Sequence, residues 1–371
     1  MKKRVVFHVG APKTATTSLQ VACVRRRHEL RKEGIFYPVF RTPAYPGRRN
    51  KLYTEDQQGD VFEHSMISHL PLFWSFQKRL HPTFQEREKL DSNLAEWKSL
   101  IKEFRDGPEH TIIISAETVF FQHEDMNLYE LLSLFDGMER TLAFGLRHPE
   151  ELLHSLYATG VLGVERLSIP AQAFHVAKRY MNGGFERIIK SLIDTVQPGE
   201  VKPFWMKDLW NNGHTVLGGF FDLIGIPNTI EQEFHSRPTP NEATVLFLRQ
   251  LTRRKIDDET YRNVVKAVET VIHESKIKRA ESFFPEAMQE RLSARFAEDV
   301  EWLSSGLGMT KPAKVIIPPL PFRRMNTPAE NAAIIEKLLP AMTKPTATRM
   351  RAMQRHLMQA EGKLATDHGG I

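Results

Sequence analysis

Residues Thr111 to Ser115 read TIIIS, a run whose centre is three consecutive isoleucines. It is too short for a helix core and does not alternate with polar residues as a half-exposed strand would. A run of this kind can settle only as a strand covered on both faces. The same signature recurs along the chain. Arg4–Val9 (RVVFHV) ends at Gly10, Thr141–Leu146 (TLAFGL) ends at Arg147, and Ile35–Pro38 (IFYP) adds a short candidate. Val201–Met206 (VKPFWM) is a further candidate, weakened by Pro203, which cannot donate to a ladder.

Helical patterns fill the intervals. One opens at Thr16, with Leu19, Ala22, Cys23 and Leu30 on one side and Arg25, Arg26, Arg27, Arg31 and Lys32 on the others, and Gly34 ends it. Two more are expected around 60–78 and 84–105, after an irregular loop over 41–60. Another starts at Pro149, where proline suits a first turn and Glu150 and Glu151 meet the positive end of the helix dipole. Strands alternating with helices predict an α/β fold with a central parallel sheet flanked by helices. Beyond residue 213 the chain reads as mostly helical.

The expected organisation is one α/β domain over 1–310, a proline-rich connector over 311–328 and a helical C-terminal tail over 329–371. Pro340 and Pro345 interrupt the tail. It can pack on the domain, join two copies into a homo-oligomer, or fray, and the sequence does not choose. With 371 residues and 26% charged residues, the chain is ordinary for a globular protein. Its formal net charge of +6 suits an anionic ligand and is too mild to imply nucleic acid. The basic helix face is therefore read as solvated surface. The lone cysteine, Cys23, allows no internal disulfide and reads as a buried helix residue. No run approaches the ~18 apolar residues of a membrane span. The start, MKKRVVFHVG, breaks too early for a signal peptide. A cytoplasmic location is expected.

Chemistry concentrates in Phe7–Ala22, FHVGAPKTATTSLQVA. A turn from a strand into a helix offers backbone N–H groups and the positive end of the dipole to a phosphate. Lys13 adds a point charge, and Thr14, Thr16, Thr17 and Ser18 add hydroxyl donors. The usual nucleotide-triphosphate loop, G-x-x-x-x-G-K-[ST], does not fit from Gly10: Ala15 stands at its second glycine and Thr16 at its lysine. No acidic residue in a convincing metal-binding context follows a later strand. A magnesium-dependent kinase using ATP is thus the alternative reading. No Cys/His cluster points to zinc, and no Gly-x-Ser-x-Gly elbow points to a hydrolase.

The order Pro12-Lys13-Thr14-x-Thr16-Thr17 resembles the 5′-phosphosulfate loop of sulfotransferases that use 3′-phosphoadenylyl sulfate (PAPS), and HVGAPKTATTSLQ is similar to its form in the bacterial carbohydrate-type branch. Ala15 replaces the glycine usual in that pattern, a mild change provided that the backbone there is helical. The resemblance implies a P-loop-like fold, a cofactor site over Ala11–Ser18, and no metal requirement. It also implies an Arg at a later strand end with a Ser eight residues on, together holding the 3′-phosphate. GLRHPEELLHSLY supplies Arg147 and Ser155. Arginine suits a phosphate through bidentate, charge-assisted bonds.

In this resemblance Lys13 neutralises charge on the bridging oxygen as adenosine 3′,5′-bisphosphate leaves, while Thr16, Thr17 and the loop amides hold the 5′-phosphate. Ser115-Ala116-Glu117 matches the S-x-E pattern of the branch and implies Glu117 as general base. Relatives that place this glutamate soon after the first helix differ, since Gly34–Asn50 holds no carboxylate. His64 and His123 are the rival bases, and His8, inside the first strand, reads as a satisfied buried histidine. The acceptor is expected to be a glycan, glycolipid or small molecule. Phe73, Trp74, Phe76, Trp205 and Trp210 read as core before sugar-stacking surface, and Arg41, Arg48, Arg49, Arg323 and Arg324 are possible anion contacts. A third reading makes the chain a nucleotide-responsive scaffold whose tail binds a partner.

Overall fold

The computed structural model describes residues 2–41, 53–78, 87–117, 119–162, 171–206, 208, 216–226, 242–254, 256–271, 281–312, 315–323 and 325–367. Seven strands occur among them: β1 (Arg4–His8), β2 (Ile35–Phe36), β3 (Tyr53–Glu55), β4 (Val61–Glu63), β5 (Thr111–Ser115), β6 (Glu139–Leu146) and β7 (Glu200–Trp205). Five form one sheet in the order β2-β5-β1-β6-β7, parallel at every pairing. The sheet belongs to the first of two compact units, formed by Met1–His148, Gly183–Ser236 and Glu298–Ala313.

Successive side chains of a strand point to opposite faces, and here both faces are covered. On one, Val6, Ile113, Ala143 and Phe204 meet Leu19, Ala22 and Cys23 of helix α1 (Thr16–Arg25) and Phe220 and Phe221 of the helix Val216–Leu223. On the other, the Phe7 ring meets Phe135 edge-on at 5.2 Å, and Phe120 lies 6.0 Å from both Phe144 and Phe185. Burying each such ring contributes roughly 1.5–3 kcal/mol. All five residues of β5 are buried, as the uninterrupted TIIIS run requires. Pro203 is tolerated because β7 is an edge strand, where it pairs with Phe144 alone.

Three expectations need correction. Residues 60–78 do not form one helix. Val61–Glu63 pairs antiparallel with Tyr53–Glu55, and two short helices, His64–Ile67 and Leu70–Trp74, follow. The Asp56 carboxylate accepts from the N–H groups of Gln58 and Asp60, and Gly59 takes φ 85°, which closes a hairpin inside the segment read as a loop and a helix. The helix opening at Thr16 also breaks at Arg26 (φ −112°) and resumes over Arg27–Lys32. Finally, the basic face is paired as well as solvated: Arg27 binds Asp56 and Asp60, and Arg31 binds Glu103 and Glu109.

The second unit comprises Pro149–Asn182, Arg237–Ala297 and Lys314–Ile371 and is helical. Within it the tail helices Pro328–Leu338 and Lys344–Asp367 pack on each other and on Asp258–Val271, burying Ile335, Leu338 and Met350. Thr327 and Glu330 form a reciprocal capping box that starts the first tail helix. The proline-rich stretch before it is pinned: Ser282 N–H donates to Pro321 O, and Arg323 N–H to Ser282 O. Gln289 exchanges two hydrogen bonds with the Leu320 backbone. Among the described residues, no helix is long and apolar enough to cross a membrane.

Candidate functional site

β1 lies at the centre of the sheet, so the turn after it emerges between β5 and β6. The chain keeps its pairing briefly past the strand, with Val9 N–H donating to Ala143 O and Ala11 N–H to Gly145 O, both at 3.0 Å. It then turns sharply. Lys13 and Ala15 take φ 66° and 63°, two left-handed residues that are not glycine. The condition under which alanine in place of glycine is a mild change is therefore not met: the Ala15 methyl group sits where L-residues are disfavoured. Left-handed residues in a turn rotate successive N–H groups toward one concavity, an anion nest.

Thr14 Oγ1 donates to Ala11 O at 2.6 Å and closes the turn on itself. The loop is seated on β6 at a glycine. A methyl group on Gly145 would stand 2.7 Å from the Phe204 ring and 3.0 Å from Thr14 Cβ. Ala11 and Pro12 are buried, Lys13 and Ser18 are half-buried, and Thr17 is exposed. Ala15 gives α1 no side-chain cap, and the Leu19 N–H to Ala15 O bond is the first helical one. The N–H groups of Thr16, Thr17 and Ser18 therefore have no acceptor within the helix. The Thr16 hydroxyl, in a residue 1% exposed, has no hydrogen-bond partner either.

Glu117 stands two residues beyond β5, on the same side of the sheet as the turn. Its carboxylate accepts a hydrogen bond from the Lys13 backbone N–H. Burial raises its pKa above the usual carboxylate value, and the Lys13 ammonium pulls it back. Burial lowers the Lys13 pKa; the Glu117 charge opposes that, and the nearby Arg147 guanidinium reinforces it. Arg147 follows the last residue of β6. Lys13, Glu117 and Arg147, widely separated in sequence, thus share one electrostatic environment in the first unit, with positive charge in excess.

Ser155 belongs to the second unit, in the helix Pro149–Leu162, where it is 6% exposed and its carbonyl accepts from Thr159 Oγ1. Of the rival bases, His123 is buried in a short 3-10 turn, its Nδ1 on Phe120 O and its Nε2 on Ser191 Oγ. His64 begins a short helix, and its side chain lies outside the described residues, as do Arg48, Arg49, Trp210 and Arg324. Phe73, Phe76 and Trp205 are core residues, with Trp205 Nε1 donating to Thr310 O, whereas Trp74 is half-buried. Arg41 is exposed. Arg323 is clamped by Glu281 and Glu330.

Sequence reasoning missed the residues that hold Glu117's strand end. Ser115 N–H donates to His69 Nδ1 at 2.8 Å, and His69 Nε2–H donates to Pro38 O at 2.8 Å. Gln20 of α1 donates to Ser115 O at 3.0 Å. This ties the loop's helix to the strand that carries Glu117. No local motif marks His69 or Gln20, since their partners come from strands and loops distant in sequence.

No family model matches the chain, and no curated protein matches it significantly. Among solved structures, a sulfotransferase from Alicyclobacillus acidocaldarius is similar over 84% of this chain and 98% of that one, at 13% identity and a TM-score of 0.42.

Proposed function

We propose that the chain is a sulfotransferase that moves a sulfuryl group from PAPS to a hydroxyl or amine of a carbohydrate, glycolipid or small molecule. The observation that carries this reading is the meeting of Lys13, Glu117 and Arg147 at a left-handed turn on the amino end of α1. The residues fit such a donor: the nest and helix N-terminus suit a 5′-phosphate, and the Thr16 hydroxyl is a buried donor awaiting an acceptor.

When bound, PAPS supplies an activated sulfuryl group with adenosine 3′,5′-bisphosphate as leaving group. The loop amides, Thr16 and Thr17 hold the 5′-phosphate. Lys13 would supply positive charge to the leaving bisphosphate, the kind of charge stabilisation on which group transfer of this type depends. Arg147 binds the 3′-phosphate. Glu117 accepts the proton of the acceptor hydroxyl or amine. Burial raises its pKa, which makes it a stronger base than an exposed glutamate.

Calorimetric titration of adenosine 3′,5′-bisphosphate, ADP and ATP, without magnesium, on wild type and Arg147→Ala tests the reading. Binding should require the 3′-phosphate and weaken by about 10²-fold in the variant, a charge-assisted pair being worth roughly 1.5–3 kcal/mol. Equal or tighter binding of ATP, indifferent to Arg147, refutes it and points to a kinase.

A further inference from the structure

His8 closes β1 and is 1% exposed, directly beneath the loop. It is not the fully satisfied buried histidine that the sequence leads one to expect. Its Nδ1 lies 3.0 Å from Ser115 Oγ, and its ring packs edge-on to Phe220 at 4.8 Å. Nε2 has no hydrogen-bond partner. An unpaired buried polar atom is costly, and a fold keeps one where another state satisfies it.

The position of Nε2 identifies that state. A methyl group built on Gly10 would lie 3.3 Å from His8 Nε2 and 2.8 Å from Thr14 Oγ1, so both atoms face one small space under the turn. Thr14 Oγ1 spends its proton on Ala11 O and keeps lone pairs free to accept. Gln20 Nε2 approaches Ser115 Oγ at 3.4 Å, which orients the serine proton toward His8 Nδ1 and leaves the histidine proton on Nε2. The polar chain then runs from Gln20 through Ser115 and His8 toward Thr14, with one link open. Burial holds the imidazole neutral, its pKa pushed down to about 3, so the open end is a neutral N–H donor at any working pH.

We propose that His8 is a positioning residue of the loop, whose Nε2–H bonds Thr14 Oγ1 when an anion occupies the turn and thereby couples the loaded loop to Ser115, two residues before Glu117. The proposal rests on the loop's reading as an anion site. The protein holds the contact in reserve: empty, it carries an unsatisfied donor; loaded, the chain closes.

Two amide substitutions divide the ring's functions, since the Asn amide reaches the Nδ1 position and the Gln amide the Nε2 position. Calorimetry with adenosine 3′,5′-bisphosphate should show His8→Asn weakened by about tenfold, the worth of one buried hydrogen bond. His8→Gln should stay within about threefold of wild type. Asn at or above Gln in affinity overturns the proposal, because a ring needed only for the Ser115 bond gives that order. A second measurement needs no variant. In wild type labelled with 15N-histidine, the His8 Nε2–H proton should sharpen and move downfield as the bisphosphate is added. A proton resident on Nδ1, or an unchanged Nε2–H in a protein that binds the bisphosphate, overturns the inference alone. Wild type that fails to bind the bisphosphate overturns both this and the function on which it rests.

Discussion

Ala15→Gly tests the backbone of the loop by the sign of its effect. At φ 63° and ψ 18° an alanine carries the steric penalty of the left-handed region, about 1–2 kcal/mol. Glycine escapes that penalty and gives up roughly 0.5–1 kcal/mol to its greater freedom in the unfolded chain. The expected balance is a gain of about 0.5–1 kcal/mol. Were Ala15 helical, the same change would lose about 0.5–1 kcal/mol, so the two geometries predict opposite directions. Urea unfolding followed by tryptophan fluorescence is the right assay. The four tryptophans among the described residues, Trp74, Trp97, Trp205 and Trp302, fall within the first unit, so their signal reports the unit that holds the loop. With a slope near ~2 kcal/mol per molar urea, the midpoint should rise by about 0.3 M. Ala15→Val should lower it, since a β-branched side chain tolerates positive φ least. A lowered midpoint for the glycine variant refutes the left-handed assignment and, with it, the nest.

Gly145→Ala should lose about 1–3 kcal/mol by the same assay, because the new methyl group meets Phe204 at 2.7 Å and that ring is backed by Phe220 at 6.0 Å; an unchanged midpoint would mean the loop does not rest on β6. Lys13→Met should lower kcat by about 10²–10³-fold. It should also move the acid limb of the pH–rate profile to higher pH, since the ammonium that pulls the Glu117 pKa down is gone; a limb that stays put removes Glu117 as the base. The buried imidazoles of His8 and His69, each with its pKa pushed down to about 3, make stability acid-sensitive. The unfolded chain takes up both protons below the ordinary value of 6.5, so stability is fully present above pH 6.5 and falls toward pH 3 by up to about 2.7 kcal/mol per pH unit. His69→Gln should roughly halve that slope in urea titrations, and an unaltered slope contradicts the neutral burial of His69.

The sheet could be read from sequence because its strands announce themselves locally. TIIIS has no polar face, so its burial on both sides follows from composition, and Thr111–Ser115 is buried throughout. RVVFHV and TLAFGL behave likewise, whereas VKPFWM, the candidate weakened by Pro203, is an edge strand half-exposed over Val201–Pro203. The hairpin over Tyr53–Glu63 was misread because its strands are three residues each, too short to show a period. It depends on one carboxylate, Asp56, closing the turn. The break at Arg26 has no local signal such as proline or glycine.

At the site the division is the same. Residue types and their order in the loop are local, so Lys13, Thr16 and Thr17 could be singled out as donors from the sequence, and Gly10 as the strand's end. Whether Ala15 is helical or left-handed was settled by where β6 lets the turn rest, through Gly145 and the Ala11 pairing. The sharing of one environment by Lys13, Glu117 and Arg147 follows from the parallel order β5-β1-β6, which gathers three strand ends far apart in the chain. The open hydrogen bond of His8 arises from the same packing. A sequence determines which groups it carries and which short runs must be buried, because those are properties of neighbouring residues. The distances and charges between strand ends belong to the register of the sheet, and only the folded chain sets that.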